Sequence, residues 1–406
     1  MRFDFVRHMA YKELLGTFRD RRAIASNLLL PLLVLPVVMF GLPLAMGGLF
    51  QREAETVSEL AVYGGDHLPA ELVAMIEAQH AELVPVADPM RAVQEGDFPA
   101  GLSADERFLE RLAAGERAPV TVYSKPGNMR SELNAGKITS AIQQYQQSVV
   151  AERLAEAGLD PEVLEPIAIT TVDARAEPER ASGIMSWMIP FFLAIWALIG
   201  GQMTAIDATA GERERGTLEV LLVAPVKRIE VVAGKAIATM ATGLTAATMA
   251  IVGYLVGGLI LRSIIAADPE LAEVGAMMLG SMSIDLVTIG LLLISAILLS
   301  ALLATLLMGI TMFAKSFKEA QSYVAPLSLV LILPLVALQF SDFFAFNPVI
   351  YLVPLLNVLL AMDAIIRGAA EPWLIALTWS STLVYAGLLL AFAYRNFTRE
   401  DVLFRG

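Results

Sequence analysis

The sequence predicts a polytopic α-helical membrane protein with six transmembrane helices, a re-entrant element, and one large extracytoplasmic α/β domain between the first two spans. Only 17% of the 406 residues are charged, and the mean hydropathy is +0.64. A soluble chain carries about 25% charged residues, so an ordinary soluble enzyme is excluded. The charges also cluster, because residues 51–183 hold 23 acids and 11 bases while the rest of the chain holds 18 of each.

Six stretches free of Asp, Glu, Lys and Arg are long enough to cross a bilayer core, which takes about 20 apolar residues as a helix. The predicted spans are residues 23–50, residues 184–206, three helices within 236–341, and residues 372–395. A cleaved signal peptide is the weaker interpretation of the first stretch. Its charged leader is 22 residues long, and no small-x-small cleavage site follows.

A seventh apolar stretch, residues 343–366, is predicted to be re-entrant. It begins near Asn347-Pro348 and contains Pro354 and Asn357, which suit a continuous helix poorly. With six spans, most basic residues outside 51–183 fall in cytoplasmic segments, including the tail at 396–406. A seventh span is the alternative, but it places the arginines of the tail outside. We therefore expect an integral protein of the plasma (inner) membrane of a prokaryote. Both termini are expected in the cytoplasm, and residues 51–183 outside it.

The polar block 51–183 is long enough to bury its own core. Its pattern predicts strands at 59–63, 83–86, 119–123 and 167–172, and helices at 69–80, 104–114 and 128–157. The acidic excess of this block fits simple solubility, with attraction of cations as the alternative. The net charge of −12 lies entirely here and argues against a nucleic-acid partner.

No pattern for catalysis or metal binding is found in the sequence. The chain has no cysteine, and His8, His67 and His80 have no metal-ligand spacing. The pairs at 136–137 and 234–235 are Gly-Lys, but they lack the remaining residues of a phosphate-binding loop. We therefore expect no enzyme activity and no cofactor in this chain, so any use of ATP and Mg²⁺ requires a separate subunit.

The leader, residues 1–22, is predicted to be an amphipathic helix that lies flat in the headgroup layer. Its apolar face is formed by Tyr11, Leu14, Leu15 and Phe18, with Arg7, Lys12 and Arg19 off that face. The candidate interfacial residues are Arg19, Asp20, Arg21 and Arg22. A simple positive-inside anchor is the alternative interpretation.

The loop at 207–235 contains a short predicted helix with an apolar face. Gly216 breaks the preceding segment, Thr217 caps the new helix, and Pro225 ends it. Exposed leucines need a partner surface, and the surrounding charges orient that partner. The candidate docking residues are Glu212, Arg213, Glu214, Arg215, Gly216, Thr217, Leu218, Glu219, Leu221, Leu222 and Pro225. A helix on the membrane surface is the alternative.

Residues 212–225 resemble the cytoplasmic signature of ABC type-2 exporter permeases, and residues 19–22 resemble the leader of their NatB-like sodium-efflux branch. The resemblance implies a membrane-spanning permease subunit of an ATP-driven exporter, whose short coupling helix docks on a separate ABC ATPase subunit that binds ATP and Mg²⁺. It also implies a homodimer or a heterodimer with a paralogous permease. Na⁺, an amphiphile, a lipid and a peptide remain open as substrates. An ABC-type mechanotransmission or signalling protein is the rival hypothesis.

Polar side chains at membrane depth are costly and therefore mark candidate sites. The candidate pathway residues are Gln202, Gln321, Asn347, Asn357 and Asp363. Hydrogen bonding between helices is the structural alternative for each of them. The pair Gly253 and Gly257, four residues apart, predicts a close contact between helices. An intramembrane enzyme is the weakest hypothesis, because Asp285 and Asp363 lack a recognisable catalytic context.

Overall fold

A computed structural model of the chain describes residues 2–164, 167, 185–218, 225–267, 286–339 and 348–398. The chain divides into two compact units, one of Met1–Pro43 with Ala174–Gly406 and the other of Leu44–Asp173. Each unit has its own apolar core. The first unit is helical, and the second is a mixed α/β fold.

The predicted number of spans is confirmed by the lengths of the helices. In chain order the helices are α1 (Phe3–Thr17), α2 (Arg21–Glu55), α3 (Ala70–Ala78), α4 (Pro89–Glu95), α5 (Phe108–Ala113), α6 (Met129–Glu156), α7 (Ser186–Glu214), α8 (Arg228–Ala267), α9 (Leu286–Thr311), α10 (Phe317–Gln339), α11 (Leu356–Ile366) and α12 (Pro372–Phe397). Within the described residues, six of these are long and apolar enough to cross a membrane, namely α2, α7, α8, α9, α10 and α12.

The glycine pair predicted to mark a helix contact joins α8 to α2. Pro36 has no N–H to offer the carbonyl of Leu32 one turn earlier, and that oxygen lies against Gly253. A Cβ atom added to Gly253 would clash with the Leu32 oxygen, and one added to Gly257 would sit 2.5 Å from the Cβ of Pro36. Only glycine permits this approach, so the two spans pack backbone to backbone.

Helices α7 and α8 meet in the same way. A Cβ on Gly243 would lie 2.5 Å from the carbonyl oxygen of Ala197, and a Cβ on Gly200 would lie 2.5 Å from the Cβ of Ala246. Small residues allow such contacts between spans, where van der Waals packing replaces the hydrophobic effect as the attractive force. Helix α8 is therefore the central element of the bundle, with α2 on one side and α7 on another.

The leader forms α1, which has two apolar faces. The predicted face is present, because Tyr11 and Leu15 are exposed. A second face, which the sequence analysis missed, buries Val6 and Met9 against α8. Gly234 makes this docking close, since a Cβ there would lie 2.7 Å from the Cβ of Met9. The position of α1 in the headgroup layer remains a prediction.

The predicted re-entrant element contains α11 and a preceding helical turn, Pro348–Leu352. With 11 residues, α11 is about 16 Å long, whereas a bilayer core is about 30 Å thick. Leu355, just before α11, has a φ of +71°, a strained value for a residue with a branched side chain. The helix is thus too short to be a span by itself, and the re-entrant topology remains a prediction.

The α/β unit is built on one four-stranded sheet of order β2-β1-β3-β4. Its strands are β1 (Ser58–Tyr63), β2 (Ala81–Pro85), β3 (Gly101–Ala104) and β4 (Val120–Tyr123). Strand β1 pairs in parallel with β2 and β3, and β4 pairs antiparallel with β3. Leu60, Leu72, Leu102 and Ile138 are fully buried and form the core with helices α3 and α6.

Most predicted elements of this unit are present within a few residues of their predicted ends. The predicted long helix at 128–157 is α6, and Asn128 caps it by accepting the N–H of Ser131 at 3.1 Å. The predicted helix at 104–114 begins only at Phe108. Strand β3 and helix α4 were missed. Gly101 carries no strand pattern, but its small size lets β3 pack against Pro89, whose Cβ would lie 3.1 Å from an added Cβ. The predicted strand at 167–172 lies outside the described residues, apart from residue 167.

Lys137 has a structural role, which accounts for one of the two Gly-Lys pairs. Its buried ammonium group donates to the carbonyl oxygens of Glu53, Thr56 and His80, at 3.0, 3.1 and 3.3 Å. Burial lowers the pKa of Lys137. The three bonds hold the end of α2, the residue two before β1 and the turn before β2 together.

We expect Gly253→Ala to destabilise the bundle, because a single methyl group forces α2 and α8 apart. Overpacking costs about 1–3 kcal/mol, which offsets the gain of about 1 kcal/mol in helix propensity from glycine to alanine. Gly290→Ala on α9 is the matched control, since a Cβ there meets no atom within 4 Å. Thermal unfolding in detergent makes the comparison, and equal stability of the two variants would contradict the close contact.

Candidate functional site

The segment that carries the signature begins as an extension of α7. A π-helical turn, Asp207–Gly211, leads into the final helical residues Glu212–Glu214. Gly216 then adopts a φ of +70°, and its N–H donates to the carbonyl oxygen of Arg213 at 3.0 Å. This left-handed conformation favours glycine and ends the helix, so the break predicted at this residue is confirmed.

Four charged side chains form a closed ring of ion pairs at this end of α7. The ammonium nitrogen of Lys235 lies 2.5 Å from Oε2 of Glu212 and 3.5 Å from Oε1 of Glu13. Lys12 completes the ring, because its Nζ donates to Glu212 at 2.6 Å and to Glu13 at 3.1 Å. We call these four residues the charge ring. It joins α1, α7 and α8 through side chains alone.

The π-helical turn positions α7 for the ring. Such a turn shifts carbonyl groups out of the α-helical hydrogen-bond pattern, and the carbonyl oxygen of Ala208 accepts from Lys235 Nζ at 2.5 Å. An ammonium group has three protons. This one donates to Ala208 and Glu212, and the carboxylate of Glu13 lies at ion-pair distance. Lys235 is 0% exposed, so this solvation by protein atoms replaces water completely.

The charge ring is electrically neutral, as burial requires. Glu212 is 5% exposed and Glu13 is 8% exposed, whereas the Lys12 side chain is 59% exposed. Partial burial lowers the pKa of Lys12, but its hydrogen bonds and attraction to Glu212 and Glu13 outweigh burial, and the net pKa is raised. Lys12 therefore stays protonated at physiological pH.

A second contact holds the start of α1 to the far end of the signature segment. The guanidinium group of Arg2 donates to the carbonyl oxygen of Pro225 at 2.6 Å, and the Arg2 backbone N–H donates to Glu230 at 2.6 Å. Glu230 is completely buried and also accepts the N–H of Lys227 at 3.3 Å. Helix α1 thus binds both ends of the segment, Glu212 through Lys12 and Pro225 through Arg2.

Arg213 and Glu214 attach the segment to the connection between α9 and α10. Arg213 donates to the carbonyl oxygen of Ala314 at 2.9 Å, and Glu214 accepts the N–H of Phe317 at 2.8 Å. Arg215 pairs with Asp207 at 2.6 Å, but both side chains are more than half exposed, so this pair adds little stability. Three of the four charged residues before Gly216 that were predicted to orient a partner are thus bound within the chain. Glu212 pairs with the buried Lys235, and Arg213 and Glu214 bind backbone groups.

Two expectations for this segment need correction. Leu218 is 6% exposed and belongs to the apolar core of its own unit, so the prediction that it faces a partner is wrong. Burial next to the helix end removes its apolar surface from water without any partner. The carboxylate of Glu212 is bound by Lys12 and Lys235 and is therefore not available to orient a partner.

Thr217 is exposed, and its hydroxyl donates to the carbonyl oxygen of Glu212 at 3.2 Å. Three candidate docking residues, Glu219, Leu221 and Leu222, lie outside the described residues.

The leader's interfacial residues lie at the start of α2. The carboxylate of Asp20 accepts the N–H of Arg22 at 2.8 Å and so caps this helix. Arg19, Arg21 and Arg22 are exposed. Their positive charges are therefore accessible beside the beginning of the first span, and their contact with lipid headgroups remains a prediction.

Two of the candidate pathway residues lie on α11 and are bound within the chain. Asn357 is completely buried, and its amide donates to the hydroxyls of Ser381 and Thr382 on α12, both at 3.0 Å. Asp363 is 3% exposed and pairs with Arg367 at 3.1 Å. The bonds of Asn357 match the structural alternative, because they join α11 to α12. The pair of Asp363 with Arg367 lies within one turn at the end of α11.

The other candidate pathway residues are distributed over different elements. Gln202 is half-buried on α7, and Gln321 is exposed on α10. Asn347 lies outside the described residues. The described positions therefore do not bring the five candidates together into one site.

Sequence reasoning missed the residues that organise the site. These residues are far from Glu212 in the sequence or across the loop from it. Lys12 and Glu13 lie about 200 positions earlier, and Glu230 and Lys235 follow the loop. No spacing rule connects them to Glu212. One signal was present: Lys235 directly precedes a long apolar stretch and follows Gly234. A lysine at the beginning of a span, beside a glycine that admits another helix, indicates a buried cation with partners on that helix.

The architecture is that of a polytopic membrane protein. It has six apolar helices, a large polar insert after the first of them, and a loop segment held by the leader. The chain belongs to the ABC-2 family transporter proteins, whose family model matches residues 28–395. It is 26% identical to the ABC transporter permease protein NatB of Bacillus subtilis (strain 168), in an alignment that covers 97% of this chain and 98% of that protein. The chain is therefore an integral membrane permease of the ABC-2 class, and this class works with an ABC ATPase subunit.

We expect Lys235→Met to destabilise the protein strongly, because it leaves two buried carboxylates facing one lysine. Removing one partner of a buried ion pair costs about 3–5 kcal/mol. The double variant Lys235→Met with Glu212→Gln restores a neutral pair and should recover part of this loss. Unfolding of both variants in detergent measures the coupling, and strictly additive losses would contradict the charge ring.

Proposed function

We propose that this chain is the membrane-spanning permease subunit of an ATP-driven exporter, and that α1 passes the movement of a separate ATPase subunit to the spans. The observation that supports this most is the attachment of α1 to both ends of the signature segment, at Glu212 and at Pro225. A force on the segment would act on α1, α7 and α8 together, since the charge ring joins all three. ATP and Mg²⁺ would bind in the partner.

The docking surface of the proposed coupling helix consists of Leu221 and Leu222, flanked by Glu219. Leu218 is committed to the core of this chain and would anchor the helix from within. Arg213 and Glu214 would fix its orientation by their bonds to Ala314 and Phe317. This division assigns attachment to the two ends of the segment and partner binding to its middle.

The proposed topology places both termini and the signature segment in the cytoplasm and residues 51–183 outside. It also makes residues 343–366 re-entrant from the outer face. The distribution of lysine and arginine supports this orientation, and the short length of α11 supports the re-entrant element. Two copies of the chain, or one copy with a paralogous permease, would form the pathway, with one ATPase subunit for each.

We expect Leu221→Asp to release the ATPase subunit, because a carboxylate cannot be buried in an apolar contact. Loss of a central interface residue costs about 2 kcal/mol or more, which is roughly thirtyfold in affinity. The tagged chain is purified from its membranes, and vanadate-sensitive ATP hydrolysis is measured in the eluate. Leu109→Asp, at an exposed leucine of the α/β unit, is the control. Full retention of hydrolysis by Leu221→Asp would contradict the docking assignment.

The absence of cysteine allows a direct test of the topology. We expect Glu152→Cys to react with a membrane-impermeant maleimide in intact cells, and Lys227→Cys to react only after the cells are permeabilised. Both positions are exposed in the structure. The parent chain has no thiol and gives the background. Labelling of Lys227→Cys in intact cells would contradict the proposed orientation.

A second candidate function is ABC-type mechanotransmission or signalling through the α/β unit. The bonds of Asn357 and Asp363 within the chain favour it, because two candidate pathway residues are occupied structurally. The substrate decides between the two functions. ATP-driven accumulation of radioactive sodium or of a fluorescent amphiphile in inside-out vesicles supports export, whereas ATP hydrolysis without flux of either probe supports mechanotransmission.

A further inference from the structure

A chamber of about 310 Å³ lies among four of the spans, α2, α7, α8 and α9. Its walls include Leu35, Met39, Phe192, Leu193, Ala250 and Tyr254. This volume falls at the lower end of the range of ligand pockets, about 300–1,000 Å³. It is separate from the charge ring and shares no residue with it.

The chamber is almost entirely apolar. Of its 13 lining residues, only Tyr254 carries a polar group on its side chain, and its phenol ring packs 5.3 Å from the ring of Phe40. An ordered water molecule needs two to four polar partners, and an engineered apolar cavity of about 150 Å³ stays dry and binds benzene. A larger chamber with one hydroxyl is therefore suited to hydrocarbon and unsuited to water or a hydrated ion.

The chamber has a buried floor and an exposed rim. Leu193 and Ala250 are 2% and 1% exposed, whereas Leu255 and Ile289 are 49% and 42% exposed. The exposed members of the lining belong to α8 and α9, so these two helices form the accessible side of the chamber within the described residues. Because both helices are candidate spans, a ligand would reach this side from the hydrocarbon region of the bilayer.

The lining is also adaptable. Met39 and Met188 contribute unbranched, polarizable side chains that repack around ligands of different shape. Phe192 adds a flat apolar wall. Such a surface selects for apolar character and width rather than for a particular headgroup.

We propose that this chamber binds a single hydrocarbon chain, which enters from the bilayer between α8 and α9. The volume admits one alkyl chain with its headgroup left outside, and the exposed lining residues on α8 and α9 favour entry from the membrane. The chain belongs either to a membrane phospholipid or to a free single-chain amphiphile. Binding is measured without ATP or an ATPase subunit, so the proposal can fail while the proposed transport function stands.

The test uses the full-length protein in phosphatidylcholine nanodiscs with two photoreactive probes. One is a palmitic acid analogue with a diazirine in its chain, and the other is a phosphatidylcholine with the same diazirine in one acyl chain. After irradiation, labelled peptides are located by mass spectrometry. We expect labels concentrated on chamber residues such as Met39 and Phe192, and loss of most of this labelling in Ala250→Phe, which fills the chamber.

Leu259→Phe is the matched control, because Leu259 lies on the same helix, is 66% exposed and does not line the chamber. Phe192→Ala widens the chamber and should increase labelling, which keeps the test informative if Ala250→Phe does not fold. Labelling by the fatty acid alone assigns the chamber to free amphiphiles, and labelling by both probes assigns it to bilayer lipids as well. Labels spread evenly over lipid-facing residues, or unchanged in the chamber variants, would overturn the proposal.

Discussion

The burial of one ammonium group, that of Lys235, constrains how three helices of the described part of the helical unit pack together. A buried cation without partners is prohibitively costly, so its two hydrogen-bond acceptors and a further carboxylate must be supplied by the protein. Glu13 comes from α1, while Glu212 and the carbonyl of Ala208 come from α7. The buried ammonium group must be solvated by protein atoms. Three features meet this requirement: the π-helical turn of α7, the docking of α1 and the start of α8.

Close backbone packing meets the second requirement, which is to bring the partners within reach. Gly234 lets α1 approach α8 one residue before Lys235, and Gly243 lets α7 approach the same helix further along. Gly253 does the same for α2. In a bilayer the surroundings of a helix are as apolar as its side chains, so such contacts rather than the hydrophobic effect hold spans together. The glycines of α8 thus set the distances at which the charged groups meet.

The sequence predicted what depends on local pattern. Apolar length predicted the six spans, and the 3.6-residue period located α6. It did not predict contacts between distant segments, because the pairing of Lys12 with Glu212 crosses 200 positions and leaves no periodic signal. The error at Leu218 has the same origin. The polar residues around Leu218 in the sequence suggest that it is exposed. Only the fold shows that the chain after α7 turns its side chain toward the core. Strand β3 was not predicted because Gly101 has no side chain to contribute to a strand pattern. The small size of Gly101 is what lets the strand pack closely.

The charge ring also bears on how a permease of this class would transmit movement. Buried ion pairs contribute little net stability, and apolar residues of similar volume often stabilise a protein as well or better. Their particular property is geometric: each carboxylate binds two ammonium groups at fixed distances, so α1, α7 and α8 are held in one register. Opening the ring exposes unpaired charges, whereas moving it as a body costs nothing electrostatically. A segment attached at Glu212 and at Pro225 would therefore displace these three helices together, and the apolar contacts of α8 with α2 and α7 would carry that displacement into the spans.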